Sequence, residues 1–278
     1  MFFNASVIFV AYAFLRRADN TGRMITFAGL RIDSPLIMGI VNATPDSFHV
    51  RHPGATAAIA HARAQIADGA DIVDIGGEST RPGSEPVSEV DELGRVVPVL
   101  QGLRGSAVPV SVDTSKPIVM RAALEAGATI VNDVAALAAP GAVEIVAASG
   151  ASAVLMHLKG TPATMNVAPR YDDVVREVYE FLSERIMVCR AAGIPLERLA
   201  VDPGIGFGKT RAHNEALIAR LKDFRALGCA VLLGVSGKMA DDARIAAESG
   251  ADILRVHDVQ ATRAALGRAD SRNRAINR

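Results

Sequence analysis

The chain lacks any excess of charge: Lys plus Arg and Asp plus Glu stand at 30 each over 278 residues. A balanced chain presents no electrostatic footprint for nucleic acid, which excludes that class of partner. Cysteine is scarce. Cys189 and Cys229 are the only two, too few for a disulfide framework, and they read as buried thiols in a reducing, cytoplasmic setting. Long apolar runs are also missing. The apolar stretch at 1–15 is too short to span a bilayer, and Arg16 and Arg17 follow it rather than precede it. With no small-residue cleavage site behind it, it is not a signal peptide. There is no low-complexity linker and no break in composition, so a single domain is expected over 24–278, with 1–23 as an extension outside the core.

Hydrophobic residues make up 50% of the chain, enough for one large core. From Leu36 onward, short apolar runs alternate with Ala-rich amphipathic segments. The strand candidates are 36–42, 71–76, 109–114, 129–134, 152–157, 198–204, 230–236 and 252–257. Their near-continuous apolar character implies burial on both faces, as a parallel sheet requires. The gaps hold helical material such as 56–68 and 172–191. Eight βα units in a run of this length predict an α/β fold, a single (β/α)8 barrel.

The strand ends carry the chemistry. Asn42 closes the first strand, Glu78-Ser79-Thr80-Arg81 follow the second, Asp113 closes the third and Asn132-Asp133 the fourth. His157, Asp202, Ser236 with Lys238, and Arg255 with His257 close the remaining four. A polar group at the C-terminal end of every strand is the pattern of a barrel active site. Two carboxylates, Asp113 and Asp202, with the Asn132 amide suit a flat heterocycle rich in N–H donors. The cations Arg81, Lys238 and Arg255, with His257, suit an anionic group such as a phosphate. Gly204, Gly206 and Gly208 are expected to let the backbone approach a ligand, although their spacing is neither a P-loop nor a dinucleotide fingerprint. Phe48 and Phe207 offer aromatic faces.

These residues sit in eight ordered segments: NATPDSF (42–48), GGESTRPGSEPV (76–87), VSVDT (110–114), NDV (132–134), LMHLKGTPATM (155–165), DPGIGFGKT (202–210), GVSGK (234–238) and RVHDV (255–259). Over roughly 25–267 the chain resembles the dihydropteroate synthases. The resemblance implies a transferase of folate biosynthesis that joins a pterin diphosphate to 4-aminobenzoate with release of diphosphate, and a sulfonamide target. It implies that Asp113, Asn132, Asp202 and Lys238 hold the pterin while Arg255 stacks on it. Asn42, Arg255 and His257 then take the diphosphate with its Mg²⁺, Asn42 being the metal ligand. Thr80, Arg81, Pro82, Phe48 and Phe207 enclose aminobenzoate, and Arg255, His257 and Lys238 carry the catalytic step. The implied partners are small-molecule substrates and a second copy in a homodimer, with neither nucleic acid nor membrane.

Three departures from the family pattern fall on the aminobenzoate side. His49-Val50-Arg51-His52 replace the usual Ser-Asp-Gly-Gly after Phe48, removing the loop acid. Met239 stands where the family carries a hydroxyl after Lys238. The segment to the eighth strand, 239–251, is short, which predicts a truncated seventh helix and an exposed or rearranged edge beside it. Two other readings stay open: a paralogue that binds pterin without turnover, and a pterin-binding methyltransferase domain. GESTRPG and RVHD favour the synthase, because a methyl donor needs no cationic site for a departing diphosphate.

Overall fold

The computed structural model describes residues 25–43, 53–79, 86–161, 164–165, 168–235 and 246–267. The expectations for 1–23, Phe48, His49, Val50, His52, Thr80, Arg81, Pro82, Lys238 and Met239 fall outside these residues.

The eight apolar runs form a closed, all-parallel barrel. Its strands are β3 (Leu36–Asn42), β4 (Ile72–Gly76), β5 (Val110–Asp113), β6 (Ile130–Asp133), β7 (Ser152–Met156), β8 (Leu199–Asp202), β9 (Ala230–Gly234) and β10 (Ile253–Val256). Pairing of Ile253 with Leu36 joins the last strand to the first. Each lies within two residues of its expected run, because a parallel strand buried on both faces is written as an uninterrupted apolar segment. The long helices around it are α1 (Pro53–Ala67), α2 (Glu89–Gly102), α3 (Pro117–Ala126), α4 (Ala142–Ser149), α5 (Val174–Ala191), α6 (Arg211–Ala219) and α7 (Val259–Ala265). Asp173 caps α5 through hydrogen bonds from the Val175 and Arg176 amides, and Ser88 caps α2 through the Asp91 amide, supplying acceptors to otherwise unpaired first-turn donors.

Successive strand residues point to opposite faces, and the two faces have different partners. Ile37, Val41, Val73, Ile75, Val112, Val131, Leu155, Val201 and Leu233 face outward into the layer shared with the helices. Leu36, Met38, Ile72, Ile130, Val154, Ala200, Leu232 and Ile253 face inward. Within the barrel they meet Ile25, Phe27 and Ile32. These come from or flank a hairpin of β1 (Thr26–Phe27) and β2 (Leu30–Arg31), whose turn residues Ala28 and Gly29 both have positive φ, 50° and 75°, as a two-residue hairpin turn requires. The hairpin plugs the N-terminal end of the barrel. It was not expected from the sequence, because two-residue strands leave no periodic signal.

The seventh unit corrects another expectation. β9 pairs with β10 in register, Leu232 with Ile253 and Leu233 with Leu254, so the edge is closed. Val231 and Leu233 are buried, and Ala246 packs with them. The connection, although short, still exceeds the dozen or so residues that a parallel crossover needs.

Candidate active site

Inward parity, followed to the C-terminal ends of the strands, brings the predicted groups together. On β4 the inward series after Ile72 reaches Asp74; on β5, Asp113; on β6, Asn132; on β8, Asp202; and on β10, Arg255. The register places Asp113 beside Asn132 and opposite Gly76. All five side chains sit above the apolar layers that fill the barrel.

Arg255 is the centre of this cluster. Its Nε donates to Asp74 Oδ2 at 2.7 Å and its Nη2 to Asp113 Oδ2 at 2.5 Å. Asn132 Nδ2 donates to the same Asp74 oxygen at 3.0 Å. Asp74 is wholly buried, and its Oδ1 has no hydrogen-bond partner. One carboxylate therefore fixes the orientation of two site residues on different strands. Asp74 was not expected to take part, because in the run DIVDIG it reads as one polar residue inside a strand. Its inward parity with the polar ends of β5 and β6 is the signal that could have found it.

Electrostatics set the protonation of this ring. Burial pushes Asp113 up to about 7, with Asp74, Asp133 and Glu92 adding to it and Arg255 pulling against it. Burial also raises Asp202 to about 6, opposed by the Gly204 amide, Arg255 and Lys209. Arg255 is held charged: burial disfavours its cation, and Asp74 and Asp113 outweigh that cost. Without a ligand, Asp113 and Asp202 thus lack the donors that would fully stabilise their charge. A ligand edge carrying N–H groups supplies them.

Two strand-end polar residues turn the other way. Asp133 follows Asn132 and so points outward, where it accepts from the Ala135 amide at 2.8 Å and the Leu137 amide at 2.7 Å, shaping the loop. His157 lies on the outward parity of β7. Its ring packs edge-on against Phe181 with centroids 5.0 Å apart, and burial with nearby Lys209 drives it down to about 3. Neither joins the mouth.

Two glycines of the run after β8 have a packing role that was not expected, whereas Gly206 has open space around it. Gly204 and Gly208 have φ of 70° and 65°. A Cβ at Gly204 would lie 2.0 Å from the His157 carbonyl, and one at Gly208 would lie 2.3 Å from that of Lys159. These glycines bring the β8 loop against the β7 loop, and the close approach is to protein rather than ligand. Phe207 rides on this loop, half-buried. Asn42 and His257 stand exposed at the ends of β3 and β10. Gln65 on α1 braces this edge, donating to the carbonyls of Ile40 at 3.0 Å and His257 at 3.2 Å.

Fold and site together define a (β/α)8-barrel enzyme whose active site lies at the C-terminal mouth. The family model described as pterin binding enzyme matches residues 38–243. The dihydropteroate synthase of Escherichia coli (strain K12) is 44% identical over 253 residues, covering 84% of this chain and 90% of the relative. Among solved structures, the Xanthomonas albilineans dihydropteroate synthase with 4-aminobenzoic acid is 47% identical with TM-score 0.79, covering 86% of this chain and 93% of that one. The Yersinia pestis enzyme in a sulfonamide drug complex is 41% identical with TM-score 0.81, covering 88% and 97%. The Burkholderia cenocepacia enzyme complexed with 7,8-dihydropteroate is 41% identical with TM-score 0.78, covering 88% and 94%. The chain belongs to the dihydropteroate synthases, transferases of folate biosynthesis. No helix among its described residues is long and apolar enough to cross a membrane.

Proposed function

We propose that this chain condenses 6-hydroxymethyl-7,8-dihydropterin diphosphate with 4-aminobenzoate, giving 7,8-dihydropteroate and diphosphate. The observation that carries this reading is the ring of Asp113, Asn132 and Asp202 around Arg255 on the inward face of the mouth. The pterin edge presents several N–H donors, and Asp113 and Asp202 accept them, gaining the stabilisation they lack in the free site. Lys238 completes that edge by family position. Arg255, already oriented by Asp74, lies against the pterin face and toward the diphosphate.

In the reaction the bond from the exocyclic CH₂ to the diphosphate oxygen breaks, and both electrons leave with the diphosphate. The cationic pterin that remains is attacked by the arylamine nitrogen, which then releases a proton. The rate depends on stabilising the departing anion rather than on a strong base, and Arg255 and His257 provide that stabilisation. Asn42 is a hard oxygen donor exposed at the end of β3. No group of three or more His, Cys, Asp or Glu placed to hold a metal occurs among the described residues. A single oxygen donor of this kind suits Mg²⁺, which keeps several waters and binds mainly through substrate phosphates. When bound, the ion adds charge neutralisation on the leaving group. Thr80, Arg81, Pro82, Phe48 and Phe207 enclose the aminobenzoate by family position.

The test is diphosphate release by the purified protein with both substrates and Mg²⁺. Release that requires 4-aminobenzoate is expected. Pterin binding in calorimetry without any release would replace the synthase reading with that of a pterin-binding protein.

A further inference from the structure

Lys209 is a buried ammonium that the reaction as derived above does not use. It is 7% exposed. Its Nζ lies 3.0 Å from His157 Nδ1, 3.2 Å from the His157 carbonyl and 2.9 Å from the Phe207 carbonyl. Three acceptors match the three donors of an ammonium. Nδ1 can accept only from a neutral ring protonated at Nε2, and burial keeps His157 neutral. The lysine thus ties the end of β7 to the loop after β8. That loop begins at Asp202 and carries Phe207. The tight approach of Gly204 to the His157 carbonyl belongs to the same junction.

The charges around this junction are few. Asp202 faces Lys209 from the end of β8 and Arg255 from β10. Lys209 is faced by Asp202, and by Lys159 on the β7 loop. Lys159 is itself drawn away: it sits 3.9 Å from the centroid of the Tyr171 ring and donates to the Arg170 carbonyl and, at 3.4 Å, to Glu177 on α5. Tyr171 and His213 close the outer side, their rings 4.9 Å apart.

We propose that Lys209 is a positioning residue for the pterin site, holding the Asp202–Phe207 loop against His157 and keeping the Asp202 carboxylate ionised through its charge. This rests on the reading that Asp202 faces the pterin. Lys209 adds its charge to that of Arg255 in favouring the Asp202 carboxylate. Arg255, on the ligand side, is already committed to Asp74 and Asp113. Burial lowers Lys209 to about 7, with Asp202 pulling the other way, so the device operates at and below neutral pH and fades above it.

Lys209→Met removes the charge while retaining the stem. Binding of 6-hydroxymethylpterin is measured by calorimetry between pH 5.5 and 8.5, alongside thermal unfolding. At pH 6 the variant should bind roughly five-fold more weakly than wild type, the effect of raising Asp202 from about 6 by about one unit. By pH 8.5 the gap should close to within about two-fold, because Lys209 is then neutral in wild type and Asp202 is ionised in both proteins. A loss of the same size at every pH, or no loss, overturns the proposal, since a purely structural lysine gives no pH dependence. His157→Gln keeps the charge and offers the lysine an acceptor, so its acid limb should coincide with that of wild type. If Lys209→Met does not fold, a His157→Gln limb displaced by a full pH unit overturns the proposal and a coincident one supports it. Wild type that fails to bind the pterin at any pH sinks the underlying reading of the Asp202 site instead.

Discussion

At the scale of single residues, the mouth of the barrel stores unfavourable energy in its carboxylates. Burial raises Asp202 to about 6 in the folded protein, well above the ordinary range of an aspartate. A raised carboxylate contributes stability that is complete below its unfolded value and is lost as pH rises through its folded one. Between pH 4 and pH 7 the ionised Asp202 therefore costs the free protein on the order of 2–3 kcal/mol. Asp202→Asn escapes this cost, and its amide oxygen can still accept from the Gly204 amide, as Asp202 Oδ1 does at 2.7 Å. The variant should lose pterin binding, since it offers a partly donating group to N–H donors. It should also gain stability relative to wild type as pH is raised from 4 to 7. Denaturant melts at the two pH values measure this, and parallel curves for variant and wild type would show that Asp202 carries no such cost. Asp74 is wholly buried and is stabilised by Arg255 and Asn132, so the site's geometry depends on a group that contacts no solvent.

The seventh βα unit is where the elements of this chain are expected to depart from the family. β9 and β10 are paired and Val231, Leu233 and Leu254 are buried, so the barrel is closed at this unit. On the expectation that Met239 takes the family's hydroxyl position, the lost hydrogen bond to the aminobenzoate carboxylate is worth ~1.5–3 kcal/mol. The KM for aminobenzoate should accordingly lie well above that for the pterin diphosphate, and sulfonamides should inhibit weakly. Met239→Ser should lower the aminobenzoate KM by about ten-fold, up to a hundred-fold, while leaving the pterin KM unchanged. A wild-type aminobenzoate KM in the low micromolar range, with ordinary sulfonamide sensitivity, would remove this idea. The carboxylate would then be bound by another part of the loop, such as Lys238.

For the whole molecule, the barrel separates stability from catalysis along its axis. Phe27 is fully buried in the plug at the N-terminal end, among Leu36, Ile72, Ile130 and Ile253. The carboxylate ring lies at the opposite end. Phe27→Ala leaves a cavity and should cost ~3–5 kcal/mol of stability. Both KM values should stay within about two-fold of wild type, because the apolar layers between plug and mouth are unchanged. A large rise in either KM at a temperature where the variant is folded would show that the plug reaches the site.

The sequence by itself determined the number, order and approximate bounds of the barrel strands, since burial on both faces forces an apolar run. It also placed Asp113, Asn132, Asp202 and Arg255 at strand ends, where a barrel gathers its chemistry. Asp133 and His157 stood beside these groups as strand-end polar residues, and parity turns both outward, because adjacent residues differ only in which face they meet. The sequence could not assign Asp74 and Lys209, whose roles come from partners 181 and 52 positions away. The glycines of the β8 loop read as ligand contacts until their neighbours were the carbonyls of His157 and Lys159. Those distinctions belong to the tertiary structure: closing the barrel brings distant strands within hydrogen-bonding reach, and only then do parity and burial decide which polar groups face the barrel mouth.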